Sequence, residues 1–98
     1  MRKTEPSVYE VRLRNKRVLG DLDKLQETDH RRVAARLESL KVNPRLQGCE
    51  KLYDDIYRVR VGDIRIIYLI DEPHSRIEIG GIRRRGEKTY KGIEELFR

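Results

Sequence analysis

The spacing of apolar residues changes twice along the chain. Over residues 7–13 apolar and charged side chains alternate, with Tyr9, Val11 and Leu13 on one face, which predicts a half-buried strand. From about residue 16 the apolar positions instead recur at helical spacing. They form two stripes: Val18, Leu19, Leu22 and Leu25, then Val33, Ala34, Leu37 and Leu40. We therefore expect a helical hairpin, its second helix capped by Thr28 or Asp29 and ended by Asn43-Pro44.

After a connection at residues 44–55, the pattern becomes that of strands. Two β-rich runs, Ile56–Val61 and Ile64–Ile70, are separated by Gly62-Asp63. Two residues between such runs predict a tight hairpin, and a glycine in the first position favours a type II′ turn.

A third β-rich run, Arg76–Ile82, contains Gly80-Gly81, which predicts a bulge or a close backbone approach. Residues 90–97 predict a short closing helix or tail. The order β-α-α-β-β-β predicts an α+β fold in a single domain over residues 1–98. In that fold the helical hairpin packs on one face of a mostly antiparallel four-stranded sheet.

The predicted turn determines which residues of the hairpin face each other. Val61 pairs with Ile64 and Arg60 with Arg65, so one face is apolar and must meet the helices. The opposite face carries Arg58, Arg60 and Arg65. Like charges placed directly opposite one another repel, and a guanidinium group matches phosphate oxygens in geometry. We therefore predict a phosphate-binding face.

Further basic residues follow the third strand and are expected at the rim of the same face. They are Arg83, Arg84, Arg85, Lys88 and Lys91, with Tyr90 among them. The alternative is an ordinary solvated strand face, on which each arginine pairs with a nearby carboxylate. Only Glu78 and Asp63 are expected close enough to supply one.

Composition and charge argue against several classes of protein. Of 98 residues, 41% are charged, and 23 Lys and Arg against 17 Asp and Glu give a net charge of +6. No apolar run approaches the roughly 20 residues of a spanning helix, and no apolar stretch follows the first residues as a secretory signal would. One cysteine, Cys49, and two distant histidines argue against a disulfide, a metal or another cofactor. We expect a small cytoplasmic domain with an anionic partner.

The run Leu52–Tyr68 resembles the toxins of the RelE/ParE superfamily. Those proteins typically read Tyr-Arg-apolar-Arg-apolar-Gly-Asp-any-Arg-apolar-apolar-Tyr, as residues 57–68 do here. The similarity extends over nearly the whole chain and includes Lys41-Val42-Asn43-Pro44. It implies a bacterial type II toxin whose acidic, RelB-like antitoxin covers the basic surface. In the RelE branch such a toxin cleaves messenger RNA in the ribosomal A site, and in the ParE branch it poisons DNA gyrase.

The resemblance also implies roles for individual residues. Catalytic positions fall on Arg65, Arg83, Arg85 and Tyr90, and RNA-binding positions on Arg58, Arg60, Arg84, Lys88 and Lys91. Where RelE members carry lysines on the second strand, this chain has arginines, which do not deprotonate. Tyr90 is then the candidate base, since neighbouring guanidinium groups favour its phenolate.

Three functions remain open from the sequence. The first is a ribosome-dependent endoribonuclease that cleaves messenger RNA by metal-independent attack of the 2′-hydroxyl. The second is a ParE-like gyrase inhibitor without nuclease activity, and the third is a plain RNA-binding module that uses the same sheet.

Overall fold

The computed structural model describes residues 8–84 and 96–97. Two helices pack on a five-stranded mixed sheet with strand order β1-β5-β4-β3-β2. The elements are β1 (Glu10–Leu13), α1 (Lys16–Asp23), α2 (Glu27–Val42), β2 (Glu50–Tyr53), β3 (Ile56–Val61), β4 (Ile64–Asp71), a 3₁₀ turn (Glu72–His74) and β5 (Arg76–Arg84). The α+β class and the order of the predicted elements up to β5 are confirmed, and the closing helix or tail expected over residues 90–97 lies mostly outside the described residues.

The number of strands is the main correction to the predicted fold. The segment read as a connection contains β2, which pairs antiparallel with β3 at the edge of the sheet. Its four residues are mostly exposed, and only Leu52 is half-buried, so no apolar alternation marks it in the sequence. The sheet is also mixed, because β1 runs parallel to β5.

The two helices begin in different ways, and the start of the second corrects a prediction. Asn15 caps α1, its side-chain oxygen accepting from the Val18 amide at 3.2 Å. The expected caps of α2 were wrong: the helix starts after Gln26, and Thr28 and Asp29 lie in its first turn. Asp29 is favourable there because its carboxylate faces the positive end of the helix dipole.

The β3–β4 hairpin has the predicted register. Arg60 lies opposite Arg65, and Val61 lies opposite Ile64. The turn residue Gly62 has φ +62° while Asp63 does not have a positive φ, which is the pattern of a type II′ turn. The period-two alternation then places every second side chain of both strands toward the helices.

The core fills the space between the helices and one face of the sheet. Val18, Val33 and Leu40 are fully buried against strand residues such as Ile66 and Tyr68. Burying a side chain of this size stabilises the fold by roughly 1.5–3 kcal/mol. Leu19, predicted in the stripe of α1, is 46% exposed instead.

A second, smaller apolar cluster lies on the opposite face of the sheet. Ile56, Ile67 and Leu96 are buried there, and Phe97 packs against them. The predicted bulge is confirmed at the glycine pair, because Ile67 faces Gly81 while the next residue, Tyr68, faces Ile79. The last described residues therefore cover the sheet face that also carries the arginines.

The ring of Phe97 packs so closely on Gly80 that no side chain fits at this position. A Cβ built on Gly80 would lie 2.5 Å from a ring carbon of Phe97, well inside van der Waals contact. We expect Gly80→Ala to lower the free energy of unfolding by about 1–3 kcal/mol, as overpacking does, measured by urea denaturation. Gly20→Ala is the matched control, since a Cβ there meets nothing within 4 Å and should stabilise the helix by about 0.5–1 kcal/mol. Equal effects of the two substitutions would contradict the packing of Phe97 on the bulge.

Candidate functional site

Arg60 and Arg65 face each other on the side of the sheet away from the helices. Arg60 is exposed and Arg65 is half-buried. Both line an open concavity of about 380 Å³ at the end of the hairpin, together with the turn residues Gly62 and Asp63. Within residues 8–84 and 96–97, neither guanidinium group has a carboxylate partner, and the buried Nε of Arg65 donates no hydrogen bond. Positive charge is therefore concentrated here, because Asp63, the carboxylate that this concavity contains among the described residues, is bound by Arg84.

Arg58 is on the same face but is held by a carboxylate. Its guanidinium donates to Glu50 at 2.5 Å, and its side chain is only 10% exposed. The expectation that three guanidinium groups converge on an open face is wrong for this residue. Glu50 was missed because it belongs to the unpredicted strand β2, where it lies directly opposite Arg58.

Arg83 and Arg84 also have carboxylate partners. Arg83 lies opposite Arg65 in the sheet, as expected, but its guanidinium donates to Asp21 of α1 at 3.0 Å. Arg84 faces the helix side and lies 3.2 Å from Asp29 and 3.3 Å from Asp63. The pKa of Arg84 is raised, mainly by its hydrogen bond with Asp29.

Of the two acids expected near the basic face, Asp63 contacts one of the predicted arginines and Glu78 does not. Glu78 binds Arg14 at 2.5 Å, and Asp63 turns toward Arg84. The other carboxylates that contact these arginines come from β2, α1 and the first turn of α2. They neutralise Arg58, Arg83 and Arg84 and leave Arg60 and Arg65 open.

Two tyrosines of the hairpin, Tyr57 and Tyr68, pack in the core. The rings of Tyr57 and Tyr68 stack with centroids 5.9 Å apart behind the arginine face. Tyr68 is fully buried and donates to the carbonyl of Pro44 at 2.7 Å. Burial raises the pKa of Tyr68, so this phenol is not available as a base.

Four residues predicted for the site lie outside the described residues. They are Arg85, Lys88, Tyr90 and Lys91. Their roles stay predictions.

Sequence reasoning missed Arg36 on α2. This half-buried side chain lines a cleft together with Arg58 and Arg60, and it has no carboxylate partner in the described part of the chain. The available signal was Arg32, four residues earlier, because two arginines at that spacing share a helix face.

Comparison with known proteins shows the family of the chain. Residues 13–89 match the family described as the ParE toxin of the type II toxin-antitoxin system, parDE. The chain belongs to the RelE/ParE superfamily of type II toxins. It is also 36% identical over 86 residues to a putative toxin, RelE1, of Methanocaldococcus jannaschii, covering 79% of this chain and 90% of that protein.

Solved structures of RelE proteins share the fold of this toxin. The archaeal RelE–RelB complex of Pyrococcus horikoshii matches with a TM-score of 0.76 and 29% identity, covering 82% of this chain and 98% of that one. The isolated RelE toxin of Escherichia coli matches with a TM-score of 0.70 over 91% of this chain and 99% of its own, at 16% identity. The second similarity concerns the fold alone.

The described part of the toxin has no helix long and apolar enough to cross a membrane. Its longest helix, α2, has 16 residues and carries charged side chains along its length.

The ion pair between Arg58 and Glu50 should stabilise the edge of the sheet. We expect Arg58→Gln to lower the free energy of unfolding by about 1–3 kcal/mol, because a poorly exposed, charge-assisted hydrogen bond is lost. Urea denaturation measures the effect. The control is Arg12→Gln, which removes an exposed ion pair with Glu10 and should cost less than about 1 kcal/mol. A loss no greater than that of the control would show that this ion pair does not hold β2.

Proposed function

We propose that this toxin is an endoribonuclease that cleaves messenger RNA in the ribosomal A site. The observation that carries the proposal is the pair Arg60 and Arg65, which face each other without a carboxylate partner among the described residues. Two cations directly opposite each other across a strand pair repel and do not stabilise the fold, whereas a phosphodiester supplies the missing negative charge.

The reaction that suits these residues uses the 2′-hydroxyl of the substrate as nucleophile. The 2′-oxygen forms a bond to phosphorus, the bond from phosphorus to the 5′-oxygen breaks, and a 2′,3′-cyclic phosphate and a free 5′-hydroxyl result. The 2′-hydroxyl proton passes to a base, and the 5′-oxygen takes a proton from water. Negative charge grows on the non-bridging oxygens in the transition state, where fixed guanidinium groups stabilise it.

Each arginine takes a part in that reaction according to its surroundings. Arg65 binds the reacting phosphate, and Arg60 binds the adjacent phosphate of the RNA. Arg83 joins Arg65, which it faces in the sheet, by exchanging Asp21 for a phosphate oxygen. Arg58, held by Glu50, supports this surface from its buried position. Arg85 would add positive charge at the rim, and Arg84 would contact RNA there only by exchanging Asp29 or Asp63 for a phosphate oxygen.

Tyr90 is the proposed base, and Lys88 and Lys91 the proposed contacts to the flanking RNA. Adjacent guanidinium groups favour a phenolate over its protonated form. Without a histidine or carboxylate pair such a site is slow on free RNA. The ribosome, which holds the message in a bent and fixed path, would supply the alignment.

An acidic antitoxin is the proposed protein partner in the cytoplasm. The net charge of +6 and the open arginine face fit an acidic chain that covers them. The structurally similar RelE of Pyrococcus horikoshii is itself in complex with RelB.

Inhibition of DNA gyrase is the second candidate function. The observation in its favour is the matched family itself, which is described as the ParE toxin. In that case the arginines would recognise an acidic protein surface, and no RNA would be cut.

Arg65→Ala and Tyr90→Phe test the nuclease proposal. Each should relieve growth arrest and reduce cleavage of a translated message by about 100-fold or more, as the loss of a transition-state contact or a base does. Primer extension on the message measures cleavage.

Arg12→Ala is the control, since this exposed residue of β1 lies outside the site. Growth arrest with an intact message and broken chromosomal DNA would instead assign the toxin to gyrase. Full cleavage by Arg65→Ala would contradict the role of the arginine pair.

A further inference from the structure

We propose, building on the RNA-cleaving function above, that the cleft between the free edge of β3 and α2 is a second phosphate subsite, centred on Arg36. It would bind the phosphates of the RNA strand that continues past the reacting phosphate at Arg65. The proposal rests on the shape of the sheet edge, on the charge of Arg36, which has no carboxylate partner among the described residues, and on the continuity of this cleft with the concavity at Arg65.

The sheet edge is open where the cleft lies. β2 pairs with β3 only as far as Arg58, so the last three residues of β3, Val59–Val61, have no strand partner on that side in the described chain. The cleft, about 440 Å³, opens beside this edge, and Arg36 reaches it from α2. A nucleic-acid backbone can therefore approach the edge without displacing an element of the fold.

The charge of the cleft is positive and uncompensated at two of its residues. Neither Arg36 nor Arg60 has a carboxylate partner within the described residues. Glu50 also lines the cleft, but its carboxylate is bound by Arg58. Guanidinium groups in this state favour phosphate, because the planar fork of donors binds two of its oxygens.

The cleft is continuous with the proposed reaction site. Arg60 lines both this cleft and the concavity that contains Arg65. Arg36 in turn lines a further groove along α2, shared with Arg32 and Gly62. Positive side chains thus follow one path from Arg65 around the end of β3 to α2.

The lining of the cleft favours RNA over an acidic protein segment. Val59 is its only aliphatic side chain among the residues described. Stable protein interfaces are centred on buried aromatic and aliphatic anchors, which this cleft does not offer. A backbone of successive phosphates gains affinity from each cation that it contacts, because every such contact releases counterions.

The test compares Arg36→Gln with Arg31→Gln in the full-length toxin carrying Tyr90→Phe, which reduces cleavage and keeps the contact at Arg65. Arg31 is an exposed residue of the same helix and lines none of these three concavities, so both variants lose one charge. Binding of single-stranded RNA of about 12 nucleotides and of about 4 nucleotides is measured by fluorescence anisotropy over a range of salt.

We expect Arg36→Gln to weaken binding of the longer RNA about tenfold and to leave the shorter RNA nearly unchanged. The slope of log Kd against log salt should fall by about 0.7, the value for one phosphate contact on a single strand. Arg31→Gln should show neither change. Cys49, the only cysteine of the chain, lines the cleft, so the longer RNA should also slow its reaction with a maleimide.

If Arg36→Gln and Arg31→Gln changed RNA binding equally, the proposal of a subsite at Arg36 would be overturned. The nuclease proposal would stand, because cleavage of translated messages is measured separately. Failure of the longer RNA to bind at all would also overturn it. Protection of Cys49 by a polyglutamate peptide and not by RNA would assign the cleft to an acidic protein instead.

Discussion

The arginine pair at the end of the β3–β4 hairpin is a consequence of the core. Val59, Val61, Ile64 and Ile66 must all face the helices, and the Gly62-Asp63 turn sets the register in which they do so. Because side chains alternate along a strand, this register also places Arg60 opposite Arg65 on the other face. A slip by one residue would bury both guanidinium groups and expose the aliphatic side chains. The packing of the core therefore keeps two like charges at opposite positions of the strand pair, an arrangement that local energetics would otherwise avoid.

The carboxylates of the toxin divide its arginines into two groups. Glu50, Asp21 and Asp29 bind Arg58, Arg83 and Arg84, and in doing so they tie β2, α1 and α2 to the central strands. Arg36, Arg60 and Arg65 are left without such partners within the described residues. One group of cations thus holds the frame, and the other is available to an external anion. The RNA backbone is the anion that we propose, entering at Arg65 and leaving around the edge of β3.

Sequence patterns predicted the features that depend on neighbours along the chain. The hairpin register, the apolar face and the bulge at Gly80-Gly81 follow from local alternation and turn chemistry, and the structure confirms them. The missed features depend on contacts between distant segments. Strand β2 has too little burial to show a pattern, and Arg83 and Arg84 meet carboxylates 62 and 55 residues away. Arg36 was missed because, in the sequence, an arginine on an amphipathic helix cannot be told from an ordinary solvated residue. Only the folded chain shows that it lines a cleft with Arg60.

The electrostatic coupling between Arg60 and Arg65 tests the central claim most directly. A double-mutant cycle with Arg60→Gln and Arg65→Gln, followed by urea unfolding at low ionic strength, isolates this coupling from the other effects of each substitution. We predict a repulsive coupling of roughly 0.2–1 kcal/mol that disappears at about 1 M salt, where the screening length falls to about 3 Å. A coupling of zero at low salt, or an attractive one, would contradict the claim that the hairpin presents two uncompensated guanidinium groups on one face.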